Sequence, residues 1–138
     1  MVNVDLLIKN NKKQTLLTWR QNTVKAKPGW HLPGGIVRLG ETLNERVRKV
    51  GLIELGVKVK NISLKPIDFN QIILNQDNRS HFFSFLFSCE LSSKPPNRIL
   101  YKFESKKKVL EGQYNWFDSC PKNILKPHLI YKKYLNRI

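Results

Sequence analysis

The stretch Gly34 to Val57, GGIVRLGETLNERVRKVGLIELGV, constrains the fold of this chain more than any other. It opens with a glycine-rich loop, in which the missing Cβ atoms allow a ligand or metal to approach the backbone closely. Thr42 is suited to cap a helix, and Glu45 three positions later completes a capping box. Gly56 is a typical residue just past a helix C-terminus. The stretch therefore predicts a loop followed by a helix that ends at Gly56.

Length and composition indicate one globular domain spanning residues 1–138. A chain of 138 residues with 41% hydrophobic and 25% charged residues can close a single core. It has no apolar run of the roughly 18 residues that a membrane span needs, and its N-terminus lacks the features of a signal peptide. Cys89 and Cys120 show no metal-binding spacing. We therefore expect free thiols and a cytoplasmic location.

The formal net charge of +15 favours anionic partners such as nucleotides, pyrophosphates or nucleic acid. The lysines are scattered, however, apart from Lys106 to Lys108, and the sequence shows no platform of interleaved aromatic and basic residues. Nucleic acid is therefore an alternative partner and not the favoured one. No membrane partner is expected, and a homodimer is left open.

The hydrophobic pattern predicts strands interrupted by one helix and closed by another. Residues 2–9 alternate as in a strand, which places Asp5 on the face opposite Val4 and Leu6. The run HFFSFLFSCEL is the most hydrophobic and is expected at the centre of the sheet. The remaining predicted elements are the returning hairpin strand Gln14–Arg20, a short strand Trp30–Leu32, a late strand Lys106–Phe117 and a helix Asn123–Arg137, whose apolar stripe would be Leu129, Ile130, Tyr134 and Leu135. The fold class is α+β, with a mixed sheet between helices.

These residues resemble the signature of the Nudix hydrolase family, G-x5-E-x7-R-E-U-x-E-E-x-G-U. The positions that match in register are Gly35, Glu41, Glu54, Gly56 and Val57. The strands at Trp30 to Gly35 and at Tyr114 to Phe117 are also similar to Nudix elements. The resemblance covers nearly the whole chain and implies a Nudix-like α/β/α sandwich.

Two of the three metal-binding glutamates of that signature are absent. The three positions share one helix face, where glutamates would gather divalent cations that bind a diphosphate. They are occupied here by Val50, Ile53 and Glu54. Lys49 replaces the signature arginine and is predicted to pair with Glu41. The loss argues against the multi-metal attack on phosphorus of ordinary pyrophosphohydrolases.

The shortened pattern resembles the GDP-mannose mannosyl hydrolases, a Nudix branch that releases a nucleoside diphosphate and a hexose by attack at the anomeric carbon. The resemblance implies one Mg²⁺, replaceable by Mn²⁺, held by the Gly34 carbonyl and Glu54. It also implies that Arg20 acts on the phosphates and that Asp5 contacts the leaving group or sugar. Gly35, Glu41, Lys49 and Gly56 would be structural.

The general base of that branch is a histidine in the loop before the late strand. A gapless match places Glu111 at this position and Leu110 at a neighbouring metal-contacting glutamine. A carboxylate can act as a base, so Glu111 is the candidate, with His81 and His128 as substitutes.

Three functions follow from the sequence. The favoured one is a Mg²⁺-dependent hydrolase of a nucleoside diphosphate sugar. The alternatives are a conventional Nudix nucleotide pyrophosphohydrolase and a catalytically inactive Nudix module that binds nucleotides or RNA. Val50 and Ile53 favour the last of these.

Overall fold

A computed structural model describes residues 1–23, 27–73 and 81–136. The chain forms two compact units: unit 1 comprises Met1–Ile8 and Pro33–Lys94, and unit 2 comprises Lys9–Leu32 and Pro95–Ile138. No helix in the described ranges is long and apolar enough to cross a membrane. The strands, in chain order, are β1 Val2–Ile8, β2 Thr15–Arg20, β3 Gly29–His31, β4 Gly34–Ile36, β5 Val59–Lys60, β6 Asp68–Ile73, β7 His81–Leu91 and β8 Tyr114–Phe117.

Unit 1 contains a mixed sheet in the order β4-β1-β7, with β5 and β6 both pairing with the far side of β7. The pairing of β1 with β7 is parallel and the other pairings are antiparallel. Val4, Leu6 and Ile8 of β1 are fully buried. The prediction that β7 lies at the centre of the sheet is confirmed.

The helix α1, Leu43–Val50, begins directly after Thr42, where the local sequence predicts. The N–H of Glu45 donates to Thr42 Oγ1 at 3.0 Å, which satisfies one of the amides left free in the first turn. A π-helical turn, Gly51–Leu55, continues the helix to Gly56, which has a positive φ of 69°. Val50 on the inner face of α1 contacts Gly35 of β4, so the helix covers the β4 edge of the sheet.

Unit 2 contains an antiparallel sheet in the order β3-β2-β8. The prediction that β1 and β2 form a hairpin is wrong. The turn is present, since Asn10 Oδ1 accepts from the N–H groups of Lys12 and Gln14, and a single bridge joins Lys9 to Thr15. Beyond that bridge β1 pairs with β4 and β7 instead, because it is buried on both faces and lies inside the mixed sheet.

The last two predicted elements also differ from the structure. The late strand is only Tyr114–Phe117, and residues 106–113 form loop and turn. The C-terminal helix is a 3-10 helix, Lys126–Tyr134, in which Leu129 and Ile130 are exposed. The apolar stripe predicted for an α-helix is therefore wrong, because a 3-10 helix aligns residues three apart and not three and four apart. Tyr131 is the buried residue of this helix, and Leu135, just beyond its end, is buried as predicted.

Candidate functional site

The carbonyl group of Gly34 points away from the sheet. Leu6 N–H donates to the Pro33 carbonyl at 2.8 Å, and Val37 N–H donates to the Val2 carbonyl at 2.9 Å. Antiparallel pairs alternate between bonded and non-bonded, so the Asp5–Gly34 pair between these positions is non-bonded. Since β4 is the edge strand, the Gly34 carbonyl lies outside the ladder, and among the described residues no strand pairs with it on that side.

Gly34 must be a glycine because β1 lies too close for a side chain. A Cβ at this position would clash with Asp5 Oδ1 and lie 2.6 Å from the Val4 carbonyl oxygen. Asp5 and Gly34 are directly opposite each other in the register. Asp5 and Gly34, both predicted from the sequence as site residues, are therefore neighbours in the structure.

Asp5 is held by two polar side chains that the sequence analysis missed. Its carboxylate accepts from Ser84 Oγ at 2.6 Å and from Asn3 Nδ2 at 3.2 Å, and Asp5 is only 2% exposed. Asn3 also donates to Ser84 Oγ at 3.1 Å. Asn3 could have been found from its period-two spacing to Asp5, whereas Ser84 depends on the parallel pairing of β1 with β7.

Glu41 fastens the glycine-rich loop to α1. Lys49 Nζ lies 2.6 Å from Glu41 Oε2, while Arg46 Nη2 and the Arg38 N–H reach Glu41 Oε1 at 2.6 and 2.7 Å. The Lys49 hydrogen bond, then those from Arg38 and Arg46, lowers the pKa of Glu41 from 4.5 to about 2. The carboxylate therefore stays charged at neutral pH. The signature leaves position 46 undefined, so Arg46 was missed.

The three signature positions on the helix have different environments. Val50 is 3% exposed against Gly35, and Ile53 is 73% exposed. Glu54 is partly buried, and its Oε2 atom is fully buried. Glu54 lies one turn beyond Val50 and so on a similar face of the helix. Among the described residues no group of three or more His, Cys, Asp or Glu side chains could hold a metal ion.

In unit 2 the structure brings Arg20 and Glu111 to the same end of β2. The Glu111 carboxylate accepts from the N–H groups of Gln21 at 3.1 Å and Asn22 at 3.5 Å, directly after Arg20. The Gly112 N–H donates to the Trp19 carbonyl at 2.9 Å. Glu111, the general base predicted from the sequence, is therefore held at the end of β2 by backbone hydrogen bonds.

The three histidines differ in exposure: His81 is exposed, His128 is half-buried and His31 is buried. His81 is exposed, with its Nε2 atom 2.6 Å from Gln71 Nε2. His128 accepts from the Leu32 N–H at 3.1 Å. His31, which the sequence analysis did not select, is 7% exposed, and burial, assisted by the nearby His128 and Arg20, lowers its pKa from 6.5 to about 3. His31 is therefore neutral at physiological pH.

The family model of the NUDIX domain matches residues 1–119, which include residues of both units. None of the curated proteins matches the chain. The fold is similar to a MutT NUDIX hydrolase from Burkholderia pseudomallei, with a TM-score of 0.72, 19% identity, and coverage of 98% of this chain and 97% of the other. A NUDIX-family hydrolase from Clostridium perfringens gives a TM-score of 0.66 at 16% identity, with coverage of 97% and 95%.

The NUDIX domain of Shewanella oneidensis NrtR, whose structure contains ADP-ribose, is similar with a TM-score of 0.65 and 17% identity, covering 97% of this chain and 84% of that one. These similarities and the mixed sheet with few helices confirm the predicted α+β fold class. The chain therefore belongs to the NUDIX domain family, that of the Nudix hydrolases.

Proposed function

We propose that this protein is a Mg²⁺-dependent hydrolase of a nucleoside diphosphate sugar, which releases a nucleoside diphosphate and a hexose. The observation that carries the proposal is the reduced donor set of the signature stretch. Glu54 is the carboxylate that remains of three, and the Gly34 carbonyl is outside the sheet ladder. Two protein oxygens suit one cation better than a cluster of cations.

The donor set fits Mg²⁺, with Mn²⁺ as a substitute. Mg²⁺ prefers oxygen ligands and commonly takes one or two carboxylates, with waters and substrate phosphates completing its shell. Gly34 and Glu54 would supply a neutral and an anionic oxygen. A cation held there would neutralise charge on the diphosphate as it leaves.

Arg20 and Glu111 are proposed to act on the substrate. Arg20 is exposed at the end of β2 and can bind two phosphate oxygens at once, a geometry that lysine lacks. Glu111 would remove a proton from the attacking water. Each of its oxygens has two lone pairs, so the backbone bonds to Gln21 and Asn22 leave acceptor capacity.

Asp5 is proposed to contact the sugar or the leaving group. Ser84 and Asn3 fix its carboxylate in one orientation, which lowers the entropy cost of using it in recognition. The ADP-ribose in the NrtR domain supports the substrate class, because ADP-ribose is itself a nucleoside diphosphate joined to a sugar.

The state of the cysteines supports a cytoplasmic location as part of this proposal. Cys89 and Cys120 are both free thiols. Burial raises the pKa of Cys89 to about 12, so it remains a protonated and unreactive thiol. Free thiols are typical of reducing compartments.

A product-resolved assay with Mg²⁺ on GDP-mannose and ADP-ribose tests the proposal. We expect nucleoside diphosphate plus free sugar. Nucleoside monophosphate plus sugar phosphate would instead establish a conventional pyrophosphohydrolase. The similarity to a MutT NUDIX hydrolase favours this alternative. Binding without any product would establish the inactive module that buried Val50 and exposed Ile53 favour.

Glu54→Gln is the decisive variant, with Glu45→Gln on the first turn of the same helix as the matched control. The loss of a metal ligand should lower kcat by at least about 100-fold, because mutation of the outer-shell partners of such ligands already costs about 10–100-fold. The control should retain full activity. Circular dichroism verifies that both variants fold. Full activity in Glu54→Gln would remove the metal assignment.

A further inference from the structure

Four exposed lysines and one exposed aromatic ring lie in one short segment of unit 2. The segment 102–108, here named the Phe103 loop, has the sequence KFESKKK. Its lysines are all exposed, and Phe103 is 50% exposed. The sequence alone did not indicate such a platform of aromatic and basic residues, because two of the three rings that support Phe103, Trp30 and Phe117, are distant in sequence.

Phe103 is held rigidly from below by a cluster of aromatic rings. Its ring centroid lies 5.1 Å from that of Tyr101, 5.8 Å from that of Phe117 and 6.2 Å from that of Trp30. Trp30 and Tyr101 are themselves buried. A ring fixed in this way presents its remaining surface with little further loss of side-chain entropy on binding.

The backbone of the Phe103 loop is also fixed. Tyr101 Oη donates to the Lys107 carbonyl at 2.6 Å, and Ser105 Oγ donates to the Lys102 carbonyl at 2.7 Å. Turns closed by the N–H groups of Ser105 and Lys106 keep the loop compact. The four lysines therefore belong to the same short, ordered segment as Phe103.

The charge of this loop is not compensated locally. Four lysines stand against the single Glu104, and among the described residues none of the four forms an ion pair. Like charges this close repel one another, and the binding of an anion relieves that repulsion. A second copy of the chain carries the same charge of +15, which disfavours self-association through this surface.

We propose that the Phe103 loop is a binding site for single-stranded nucleic acid, independent of the hydrolase activity. Phe103 would stack on an unpaired base, and the phosphates would be bound by Lys102, Lys106, Lys107 and Lys108. An aromatic ring combined with a basic groove is the usual arrangement for binding single strands without sequence preference. Double-stranded DNA would bind more weakly, because its base faces are already stacked.

The test measures binding of fluorescein-labelled oligouridine of 12 nucleotides to the full chain by anisotropy at several KCl concentrations. Phe103→Leu keeps the apolar volume but removes the aromatic face, and should weaken binding about tenfold. Phe103→Trp should bind at least as tightly as the wild type. Phe69→Leu is the matched control, since Phe69 is 52% exposed in unit 1, and it should leave binding unchanged.

Two triple variants test the lysines. Replacing Lys106, Lys107 and Lys108 by Gln should reduce the slope of log affinity against log salt by about 2, at about 0.7 for each phosphate contact on single strands. The same change at the exposed Lys58, Lys60 and Lys65 removes equal charge and should leave the slope near the wild-type value. Equal losses in the two triple variants would mean diffuse attraction and would overturn the proposal.

Three competitors separate nucleic acid from other anions. Polyphosphate should bind the lysines without sensitivity to Phe103→Leu, and an acidic peptide should not displace the oligonucleotide. Unchanged oligonucleotide binding in Phe103→Leu, or displacement by the peptide, would contradict the assignment. Complete displacement by GDP-mannose would reassign the loop to the substrate of the hydrolase and would equally overturn it.

Discussion

Two regions of the molecule each contain a group with a lowered pKa, but for opposite reasons. In the region of unit 1 that joins the glycine-rich loop to α1, the hydrogen bond from Lys49 is the largest cause that lowers the pKa of Glu41 to about 2. In the Trp30–His31 region of unit 2, burial lowers the pKa of His31 to about 3. The first shift preserves a charge and the second prevents one. One region therefore depends on charge pairing and the other on packing.

The neutral state of His31 follows mainly from burial, which outweighs the hydrogen bond to the Leu32 carbonyl, a contact that by itself raises the pKa of the ring. The Leu32 carbonyl, 2.7 Å from Nδ1, can only accept, so the ring proton lies on Nδ1. The Nε2 atom then accepts from Thr18 Oγ1 at 3.3 Å. A second proton would place a charge inside the core, so we expect acid to act on this region through His31.

The largest effect is expected from removing packing in the Trp30–His31 region. Trp30 is 2% exposed and contacts Trp19 and Phe117, with ring centroids 5.2 and 4.8 Å away. Trp30→Ala should lower the free energy of unfolding by about 3–5 kcal/mol, measured by urea denaturation. Leu39→Ala, in the exposed loop of the other region, should change it by less than about 0.5 kcal/mol. Similar losses of unfolding free energy in both variants would mean that the Trp30–His31 region does not depend on packing more than the loop of unit 1 does.

A smaller loss is expected where the loop of unit 1 meets β1. Gly34→Ala forces a Cβ against Asp5 and the Val4 carbonyl and should cost about 1–3 kcal/mol. Gly40→Ala, six residues on, has no atom within 4 Å of the new Cβ and only the strain of a φ of 82°, about 1 kcal/mol. Urea denaturation of both variants measures the difference. A Gly34→Ala variant as stable as the wild type would show that close packing is not needed at this edge.

The loop and helix of unit 1 could be predicted because their determinants are local. Thr42 caps the helix three residues before its partner, and Gly56 ends it. Lys49 and Glu41 are near in sequence, and their ion pair was anticipated. The signature spacing adds further constraints on the same short segment.

The other parts could not be predicted because their determinants are distant in sequence. Ser84 reaches Asp5 across 79 positions, and only the parallel pairing of β1 with β7 explains the contact. The local turn after β1 suggested a hairpin, but burial of both strand faces decided the pairing. His31 appears in the sequence as an ordinary strand residue, since its partners Thr18 and His128 lie on other elements.

The pH dependence of the free energy of unfolding tests whether the Trp30–His31 region requires a neutral His31. The unfolded chain binds a proton at His31 below pH 6.5, whereas the folded chain does not until about pH 3. Stability should therefore fall with decreasing pH across this window, by up to about 1.4 kcal/mol per pH unit. His31→Asn should reduce that slope in urea titrations from pH 7 to 4.5.

The matched control is His81→Asn, since His81 is exposed in the folded chain as it is in the unfolded chain. This variant should retain the wild-type slope. If His31→Asn also retained it, acid would act on another group and the packing region would not depend on a neutral His31.

The smallest effect is expected from the charge pairing of unit 1. The lowered pKa of Glu41 means that its contribution to stability is fully present above pH 4.5 and is lost as pH falls towards about 2. Glu41→Gln should therefore lower the urea midpoint at pH 7 and have little effect near pH 2. The variant is made in a His31→Asn background, because His31 also changes the stability between pH 6.5 and about 3, a range that overlaps that of Glu41. Glu45→Gln, on the same helix, should lower the midpoint at pH 7 less than Glu41→Gln does, because the exposed Glu45 forms no ion pair among the described residues and loses only its interaction with the helix N-terminus. A Glu41→Gln deficit that persisted near pH 2 would mean that Glu41 acts through packing, as His31 does, and not through its charge.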